Sequence, residues 1–499
     1  MIIPKKLGFI IIVSRNFGVT LHKIKNTGFA RLRMPSTCIY MPFSAFARHI
    51  RHAADTRSQG KEVKRPMEIS KLYEIFQQHK VVTTDSRDCP EGSIFFALKG
   101  ASFDGNKFAA AALDKGCAFA VVDEAEYAVA GDPRYILTDD CLHTFQQLAR
   151  YHRRALGTKI VGITGTNGKT TTKELVSAVL GEKYNVLFTQ GNFNNDIGVP
   201  KTLLRLTKEH EIAVVEMGAS HPGDIKTLVD IVEPDCGIIT NVGRAHLQGF
   251  GSFEGVVKTK GELYDYLRTR KDSIAFIHNE NEHLMGIADG LTLVRYGCID
   301  APGLYVWGHV TECAPFLNFE WRRQDGPIHR VETHLIGSYN VYNMLAAAAI
   351  GLWFGVSEEQ VCHALASYVP SNNRSELVVT AHNRLIVDAY NANPTSMKAA
   401  LENFRDMRAD NKMCILGMMN ELGTASHEEH QHVVDFLRDA RFDDVWLVGS
   451  EFEAIDNPFH TFHDVEEVKA AIAAARPEGK TILIKGSNST KLFQLPELL

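Results

Sequence analysis

Residues 162–173 read Gly-Ile-Thr-Gly-Thr-Asn-Gly-Lys-Thr-Thr-Thr-Lys, residue types in an order suited to holding a row of phosphates. The segment follows the apolar run Ile160–Ile163, whose pattern is that of a buried strand. It precedes Leu175, Val176, Val179 and Leu180, which fall on one face of a helix. A glycine-rich turn between strand and helix aims several backbone N–H groups at one point, and the helix N-terminus adds its partial positive charge. Lys169 reaches terminal phosphates there, and the Thr170 hydroxyl is a hard oxygen donor for Mg²⁺. An ordinary turn would account for the glycines but not for Gly-Lys-Thr-Thr at a helix start. The spacing departs from the usual P-loop once: Ile163 stands where that pattern has its first glycine.

In α/β sheets ligands gather outside the carboxyl ends of strands, and further candidates lie at such ends. Ile212–Val215 runs into Glu216, a carboxylate suited to Mg²⁺; a solvated or helix-capping glutamate is the alternative the residue alone leaves open. Ile238–Asn241 leads to His246, for which ligand and structural roles weigh equally. Lys260 lies on an expected helix, where a solvated surface lysine is the simpler reading. Asn340 and Asn343 precede an alanine-rich helix expected over Leu345–Ile350; they serve as caps or as contacts to a base edge. Arg374 follows the linker-like Pro370–Asn373, its guanidinium suited to phosphate or simply exposed. Asp388-Ala-Tyr-Asn-Ala-Asn-Pro-Thr-Ser-Met397 follows a buried strand. Turn formation explains its Asn and Pro residues but not Tyr390 or Met397.

Positioning these residues takes several alternating strands and helices. From Met67 to about Leu156, strands are expected at Ser93–Leu98 and Ala118–Val122, with a helix over Asn106–Lys115. A larger α/β unit runs from Thr158 to Tyr368, with strands at Ile212–Val215 and Gly237–Asn241. A third unit alternates strands at Leu385–Ala389, Met413–Leu416, Val445–Val448 and Ile482–Ile484 with helices. Such alternation predicts parallel sheets covered by helices, an α/β class.

At 499 residues the chain has room for about three domains. No run of some 18 apolar residues predicts a membrane span. Nine scattered cysteines form no Cys-x-x-Cys pair, which argues against zinc or a disulfide framework and fits a reducing cytosol. The net charge of −5 does not indicate general nucleic-acid affinity. Residues 1–66 differ from the rest, with 13 Lys/Arg against two acidic residues. This segment is read as a basic extension outside the fold, either a disordered leader or upstream sequence ahead of a start at Met67.

Taken together, these stretches resemble the Mur ligases of peptidoglycan synthesis. The turn Thr164–Thr170 resembles their P-loop variant, shifted first glycine included. The resemblance is strongest to the branch that adds D-alanyl-D-alanine to a UDP-MurNAc-tripeptide. It rests on Gly191-Asn-Phe-Asn-Asn-Asp-Ile-Gly-Val-Pro200, on the Tyr-Asn-Ala-Asn-Pro loop and on Leu416-Gly-Met-Met-Asn-Glu-Leu-Gly423. Thr84-Asp-Ser-Arg87, Phe95–Gly100 and Phe103–Gly105 resemble the family's uridine-binding domain. The match runs from about residue 67 to the end. It implies a UDP-sugar-binding domain over 67–156, a central ATP-binding domain of P-loop ATPase-like parallel-sheet type over 157–370, and a Rossmann-like domain over 371–499.

The resemblance implies roles residue by residue. Thr164, Gly165, Thr166, Asn167, Gly168, Lys169, Thr170 and Thr171 would cradle ATP. Thr170 and Glu216 would hold one Mg²⁺ and His246 a second. Lys260 matches the family's carbamylated lysine; a free ammonium cannot ligate Mg²⁺, whereas a carbamate is an anionic oxygen donor. Asn340 would approach adenine, Arg374 the γ-phosphate and Asp388 the ribose. Asn194 and Asn195 would meet the UDP-sugar, and Ser86 and Arg87 its uridine end. Tyr390, Asn391 and Asn393 would lie beside the reacting carboxylate and the incoming dipeptide.

The departures are Tyr339 where the family often has His, Asp196 at a variable position, Met418 where Asp is frequent, and Lys485-Gly-Ser without a following Arg. The implied catalyst is a cytoplasmic, monomeric, ATP- and Mg²⁺-dependent amide ligase. Competing readings are a sister ligase with another amino-acid acceptor, a P-loop ATPase or kinase without ligase activity, and a silent UDP-sugar binder.

Overall fold

Short apolar runs punctuated by glycine and asparagine fold into four sheets. The computed structural model describes residues 67–370 and 374–499; before Met67 it describes only strands β1 (Phe29–Met34) and β2 (Thr37–Pro42). These two pair antiparallel, so the basic segment holds a ribbon that its reading as an extension did not include. Residues 1–66 and 67–499 are separate units, and the other three sheets belong to the second.

The first of these three is parallel, in the order β3 (Val82–Thr83), β4 (Ile94–Phe96), β5 (Phe119–Val122), β6 (Tyr135–Leu137). The helix Cys141–Leu156 closes this domain. The Asp140 side chain caps its start by accepting the His143 N–H at 2.8 Å, and Gly157 ends it in the left-handed region. Phe145, Leu148 and Ala149 bury its inner face. On another face, Arg150 and Arg154 bond the Glu233 carboxylate, Arg150 at 2.8 Å, and Arg153 bonds the Glu233 carbonyl at 3.0 Å. Removing these arginines would leave a buried carboxylate unpaired, so they fasten this domain to the next.

The central domain's sheet has nine strands: β7 (Lys159–Thr164), β8 (Val186–Phe188), β9 (Ile212–Glu216), β10 (Cys236–Ile239), β11 (Ile274–His278), β12 (Leu293–Gly297), β13 (Val306–Cys313), β14 (Phe316–Arg323) and β15 (His329–Ile336). Their spatial order is β15-β14-β13-β12-β11-β10-β7-β9-β8. From β8 to β13 neighbours run parallel, but β13, β14 and β15 form an antiparallel meander. The expected parallel sheet is present from β8 to β13, and the meander is an antiparallel addition at its edge. From Phe316 to Arg322, β14 alternates between more and less buried residues, the mark of a strand covered on one face, and short turns suffice between antiparallel neighbours.

The helix expected over 345–350 in fact runs Asn340–Trp353. Asn340 and Asn343 therefore sit inside its first turns rather than ahead of it. Gly337, at φ 98°, turns the chain off β15 and lets the helix begin early. The third domain orders its strands β16 (Glu376–Val379), β17 (Arg384–Asp388), β21 (Thr481–Lys485), β18 (Lys412–Gly417), β19 (Asp444–Val448), β20 (His460–Phe462). All neighbours are parallel except β16 with β17. Of the linker 370–373, residues 371–373 lie outside the described residues.

Candidate active site

The chemistry gathers where β7, β9 and β10 end, because parallel strands point their carboxyl ends the same way. After Thr164 the chain turns through Gly165 at φ 140° and Gly168 at φ 74° into the helix Lys169–Gly181. A β-carbon on Gly165 would sit 2.0 Å from Thr240 Oγ1, so only glycine fits this approach to β10. The loop is braced from that side. Thr240 Oγ1 donates to the Asn167 carbonyl at 2.6 Å, Asn241 Nδ2 donates to the same oxygen at 2.9 Å, and Asn241 Oδ1 accepts the Asn167 N–H at 2.9 Å.

Lys169 Nζ donates to the carbonyls of Gly165 and Thr166 at 2.9 and 2.8 Å, which holds the ammonium over the loop. Crowding by protein pushes its pKa down to about 8; the nearby Arg374 charge adds to this and Glu216 opposes it. Thr170 Oγ1 donates to Glu216 Oε2 at 3.0 Å, and Asn194 Nδ2 donates to Glu216 Oε1 at 2.8 Å. Glu216 is 1% exposed, so the solvated alternative falls away. A buried carboxylate touching a hydroxyl is a set of hard oxygen donors, and it fits Mg²⁺.

His246 stands at φ 51° before the short helix Leu247–Phe250, and its Nδ1 meets a carboxylate oxygen of Glu421 from the third domain. Lys260, on the helix Phe253–Arg268, is 2% exposed, with Nζ 3.4 Å from the Ala219 carbonyl. The solvated-lysine reading is therefore excluded. Burial and then the Lys169 charge pull its pKa well below the ordinary lysine value, against the attraction of Asp224 and Glu262.

The third domain supplies the opposite wall. The Arg374 guanidinium lies 3.9 Å from the centre of the Tyr390 ring. Lys485 Nζ donates to Asp388 Oδ2 at 2.6 Å and to the Asn391 carbonyl at 3.3 Å. Asn393 caps the helix Pro394–Asp406 through its Oδ1, while its Nδ2 donates to Asn167 Oδ1 of the phosphate loop at 2.7 Å. The two walls enclose a cleft of about 910 Å³.

Of the expected residues, the cleft wall includes Thr166–Thr171, Asn194, Asn195, Glu216, His246, Asn340, Arg374, Asp388, Tyr390, Asn391 and Asn393. Five expected residues stand elsewhere. Thr164 is fully buried beneath the loop, where its hydroxyl donates to the Met217 carbonyl at 2.7 Å; it supports the loop rather than facing the cleft. Gly165 does the same through its backbone. Lys260 lies behind the wall formed by Ala219. Ser86 and Arg87 sit in the loop after β3, outside this cleft. The Arg87 side chain is 88% exposed and forks onto Asp85 at 2.7 Å.

Asn340 is committed locally, with Nδ2 donating to the Ile336 carbonyl and Oδ1 accepting from Asn343, both at 2.8 Å. Asn195 Oδ1 accepts the Gly198 N–H at 2.8 Å. Sequence reading missed His278, Asn281, Tyr342, Glu421 and Lys485, all on the cleft wall. His278 and Lys485 end strands β11 and β21, so the strand-end rule that found Glu216 would have found them. Tyr342 packs on His278 with ring centres 4.1 Å apart, a pairing that only the fold creates.

Comparison with known proteins agrees with this geometry. Residues 78–153 match the model of the Mur ligase family catalytic domain, 163–351 the Mur ligase middle domain, and 373–488 the Mur ligase glutamate ligase domain. A UDP-N-acetylmuramoyl-tripeptide–D-alanyl-D-alanine ligase of Bacillus subtilis is 34% identical, covering 83% of this chain and 92% of the relative. Among solved structures, MurF from Acinetobacter baumannii superposes with a TM-score of 0.77 at 30% identity, covering 87% of this chain and 99% of that one. MurF from Thermotoga maritima in complex with ADP gives a TM-score of 0.75 at 26% identity over 84% of this chain and 96% of that one. With a phosphate loop, a buried carboxylate and a third domain closing one cleft, and with relatives spanning all three domains, the chain belongs to the Mur ligase family.

Proposed function

We propose that the protein is an ATP-dependent ligase that joins D-alanyl-D-alanine to UDP-MurNAc-tripeptide, giving UDP-MurNAc-pentapeptide, ADP and phosphate in peptidoglycan precursor synthesis. The observation that carries this reading is the convergence of the Lys169 loop with the Tyr390–Asn393 loop in one cleft, beside relatives that bear this activity in their name.

The chemistry to be solved is a carboxylate that does not react with an amine, because oxide is no leaving group. Transfer of the γ-phosphoryl group of ATP to the substrate carboxylate forms an acyl phosphate and releases ADP. The free amine of D-alanyl-D-alanine then attacks the acyl carbon, and the tetrahedral intermediate expels phosphate to leave the amide. The protein's part is to position the groups and neutralise charge. Lys169 and the backbone N–H groups of 166–171 hold the phosphates, and Arg374 faces them from the other wall. The first turn of the helix Asn340–Trp353, with Tyr342 and His278, offers the adenine a partly aromatic surface. Asn194 and Asn195 border the sugar-nucleotide side, and Tyr390, Asn391 and Asn393 border the reacting carboxylate. Ser86 and Arg87 await the uridine on the first domain.

Thr170 and Glu216 would hold one Mg²⁺ and His246 the other, and the ion supplies charge neutralisation to the triphosphate when bound. Lys260 as an ammonium does not fit a cation site. Its deep burial favours the neutral amine, which adds CO₂ and loses a proton to become a carbamate that does fit. A reaction that draws on ATP and a UDP-sugar is one for the cytoplasm.

The test supplies ATP, Mg²⁺, UDP-MurNAc-tripeptide and an acceptor panel, and follows phosphate release and the peptide product. Pentapeptide with D-alanyl-D-alanine, and little product with glutamate or diamino acids, is the expected result. Lys169→Ala should lower turnover at least ~10³-fold while UDP-MurNAc-tripeptide still binds. Phosphate release that ignores the acceptor would overturn the reading in favour of a plain ATPase.

A further inference from the structure

The ligation chemistry makes no use of the motif Leu416–Gly423, yet the fold holds it tightly. After β18 the Met418 N–H donates to the Val448 carbonyl at 2.9 Å. The Met419 N–H donates to His430 Nε2 at 2.9 Å, and His430 is fully buried. The Asn420 N–H donates to Ser487 Oγ at 3.1 Å, and Asn420 Nδ2 to Ser489 Oγ at 2.6 Å. Three consecutive residues are thus tied to three different parts of the third domain.

What this scaffold presents is Glu421. Its backbone is in the left-handed region at φ 61°, uncommon for a residue with a β-carbon. Its carbonyl accepts the Gln248 N–H of the central domain at 3.1 Å, and its carboxylate meets His246 Nδ1. His246 is itself left-handed at φ 51°. Two residues from different domains, each in a costly backbone conformation, are turned towards one another.

The segment bearing His246 is gripped elsewhere by the same domain. Arg244 Nε lies 2.8 Å from the buried Glu429 carboxylate, and the Arg244 N–H donates to Thr395 Oγ1 at 3.1 Å. The Glu421 side chain is 57% exposed, and among the described residues its bonding partner is His246 alone. A solvated carboxylate contributes little to stability as a surface ion pair. Its contact has a better explanation in the chemistry of histidine ligands.

A histidine that binds a metal through one ring nitrogen usually donates the other N–H to a carboxylate or carbonyl. That bond fixes tautomer and ring orientation and raises the basicity of the ligating nitrogen. Glu421 occupies that place at Nδ1, which leaves Nε2 as the free donor. We infer that Glu421 is a positioning residue for His246, and that the third domain, by carrying it, completes the second cation site only when docked on the central domain. The inference rests on the reading of His246 as a metal ligand.

The test uses the full chain with Mn²⁺ as probe and a non-hydrolysable ATP analogue. Electron paramagnetic resonance counts free Mn²⁺, and spin-echo modulation reports histidine nitrogen on the bound ion. His246→Ala should abolish the nitrogen modulation and weaken one class of Mn²⁺ by tenfold or more. Glu421→Gln should weaken the same class about tenfold and reduce the modulation. It should leave the other class, held by Thr170 and Glu216, unchanged. Glu421→Asp should recover part of the loss, and unchanged affinity for the analogue shows that the variants are folded. If His246→Ala loses the site while Glu421→Gln binds like the parent chain, the inference is overturned and the ligand reading survives. If His246→Ala changes nothing, both fall together.

Discussion

The two walls of the cleft hold their polar residues by opposite means. The phosphate loop on the central domain is braced by its own sheet: Gly165 nests against Thr240, and Asn167 is bonded three times by Thr240 and Asn241. The facing loop 388–397 leans on distant partners instead. Lys485 holds Asp388 and Asn391, Arg374 stacks on Tyr390, and Asn167 meets Asn393 across the domain boundary. The first wall is built before any substrate or domain arrives, whereas the second takes its shape from the packing of separate segments. A wall of the first kind suits generic phosphate binding, and the shape of the second depends on how its separate segments and the two domains pack.

The contrast is broken most severely at Gly165. Gly165→Ala places a methyl 2.0 Å from Thr240 Oγ1 at a backbone φ that alanine resists, so the loop must shift as a body. The expected cost is about 3 kcal/mol or more, read as a fall in the melting temperature. Nucleotide affinity, measured by calorimetry, should fall at least tenfold, while the third domain's core packing is untouched. A variant with parental stability and nucleotide affinity would show that the loop is not rigidly templated by β10.

This difference also explains what the sequence can and cannot disclose. The phosphate loop is legible because its Gly-Lys-Thr signature lies within one strand–turn–helix unit, although its braces Thr240 and Asn241 come from another strand end, and Glu216 because it ends an apolar run. The parallel cores around β7, β9 and β10 follow from alternating apolar segments in the same way. Lys260 is misjudged from its residue type alone, since nothing local reveals that the helix Phe253–Arg268 buries it behind Ala219. Glu421 is invisible as a site residue because its partner, His246, lies 175 residues away; Lys485 is open to the strand-end rule, but its pairing with Asp388, 97 residues away, is not. The meander β13–β15 escapes notice because its one-sided alternation reads as part of a parallel series. Asn340 and Asn343 fall ahead of their expected helix because Gly337 begins that helix a turn and more early.

A middling effect is expected at Lys485, the anchor of the second wall. Its side chain is 1% exposed and Asp388 is 17% exposed, so the pair is largely shielded from water. Lys485→Met keeps the apolar stem of the side chain but leaves Asp388 unpaired, at a cost of about 3 kcal/mol. The loop 388–393 should loosen, raising the KM for both ATP and the dipeptide more than it lowers kcat. The double variant with Asp388→Asn should be less destabilised than Lys485→Met alone, because no orphaned charge then remains. Equal destabilisation of the two by thermal unfolding would show that the pair is a solvated surface contact and not an anchor.

The smallest effect is a pH dependence confined to the second wall. His430 accepts the Met419 N–H at Nε2, and since a backbone amide only donates, that nitrogen must be unprotonated. Its Nδ1 then carries the proton given to the Ser426 carbonyl at 2.7 Å. Burial against Phe452 lowers the pKa of His430 below the ordinary histidine value of about 6.5, although the Ser426 bond and the acidic neighbours Glu451 and Glu429 pull the other way. A histidine whose pKa is depressed by folding stabilises the fold fully above the unfolded value. That contribution is lost as pH falls through about 6.5 towards the folded value. Protonation breaks the Met419 bond, worth on the order of 1 kcal/mol, and frees the loop that carries Glu421. His430→Gln keeps an acceptor for Met419 but cannot titrate, so its thermal stability should fall less between pH 7.5 and pH 5.5 than that of the parent chain. Nucleotide affinity at the phosphate loop should follow the same pH course in both proteins, because none of its braces involves this ring. Parallel stability profiles for the two proteins would mean that His430 is not the acid-sensitive pin of the 416–423 loop, and the asymmetry between the walls would then lie in their partners alone.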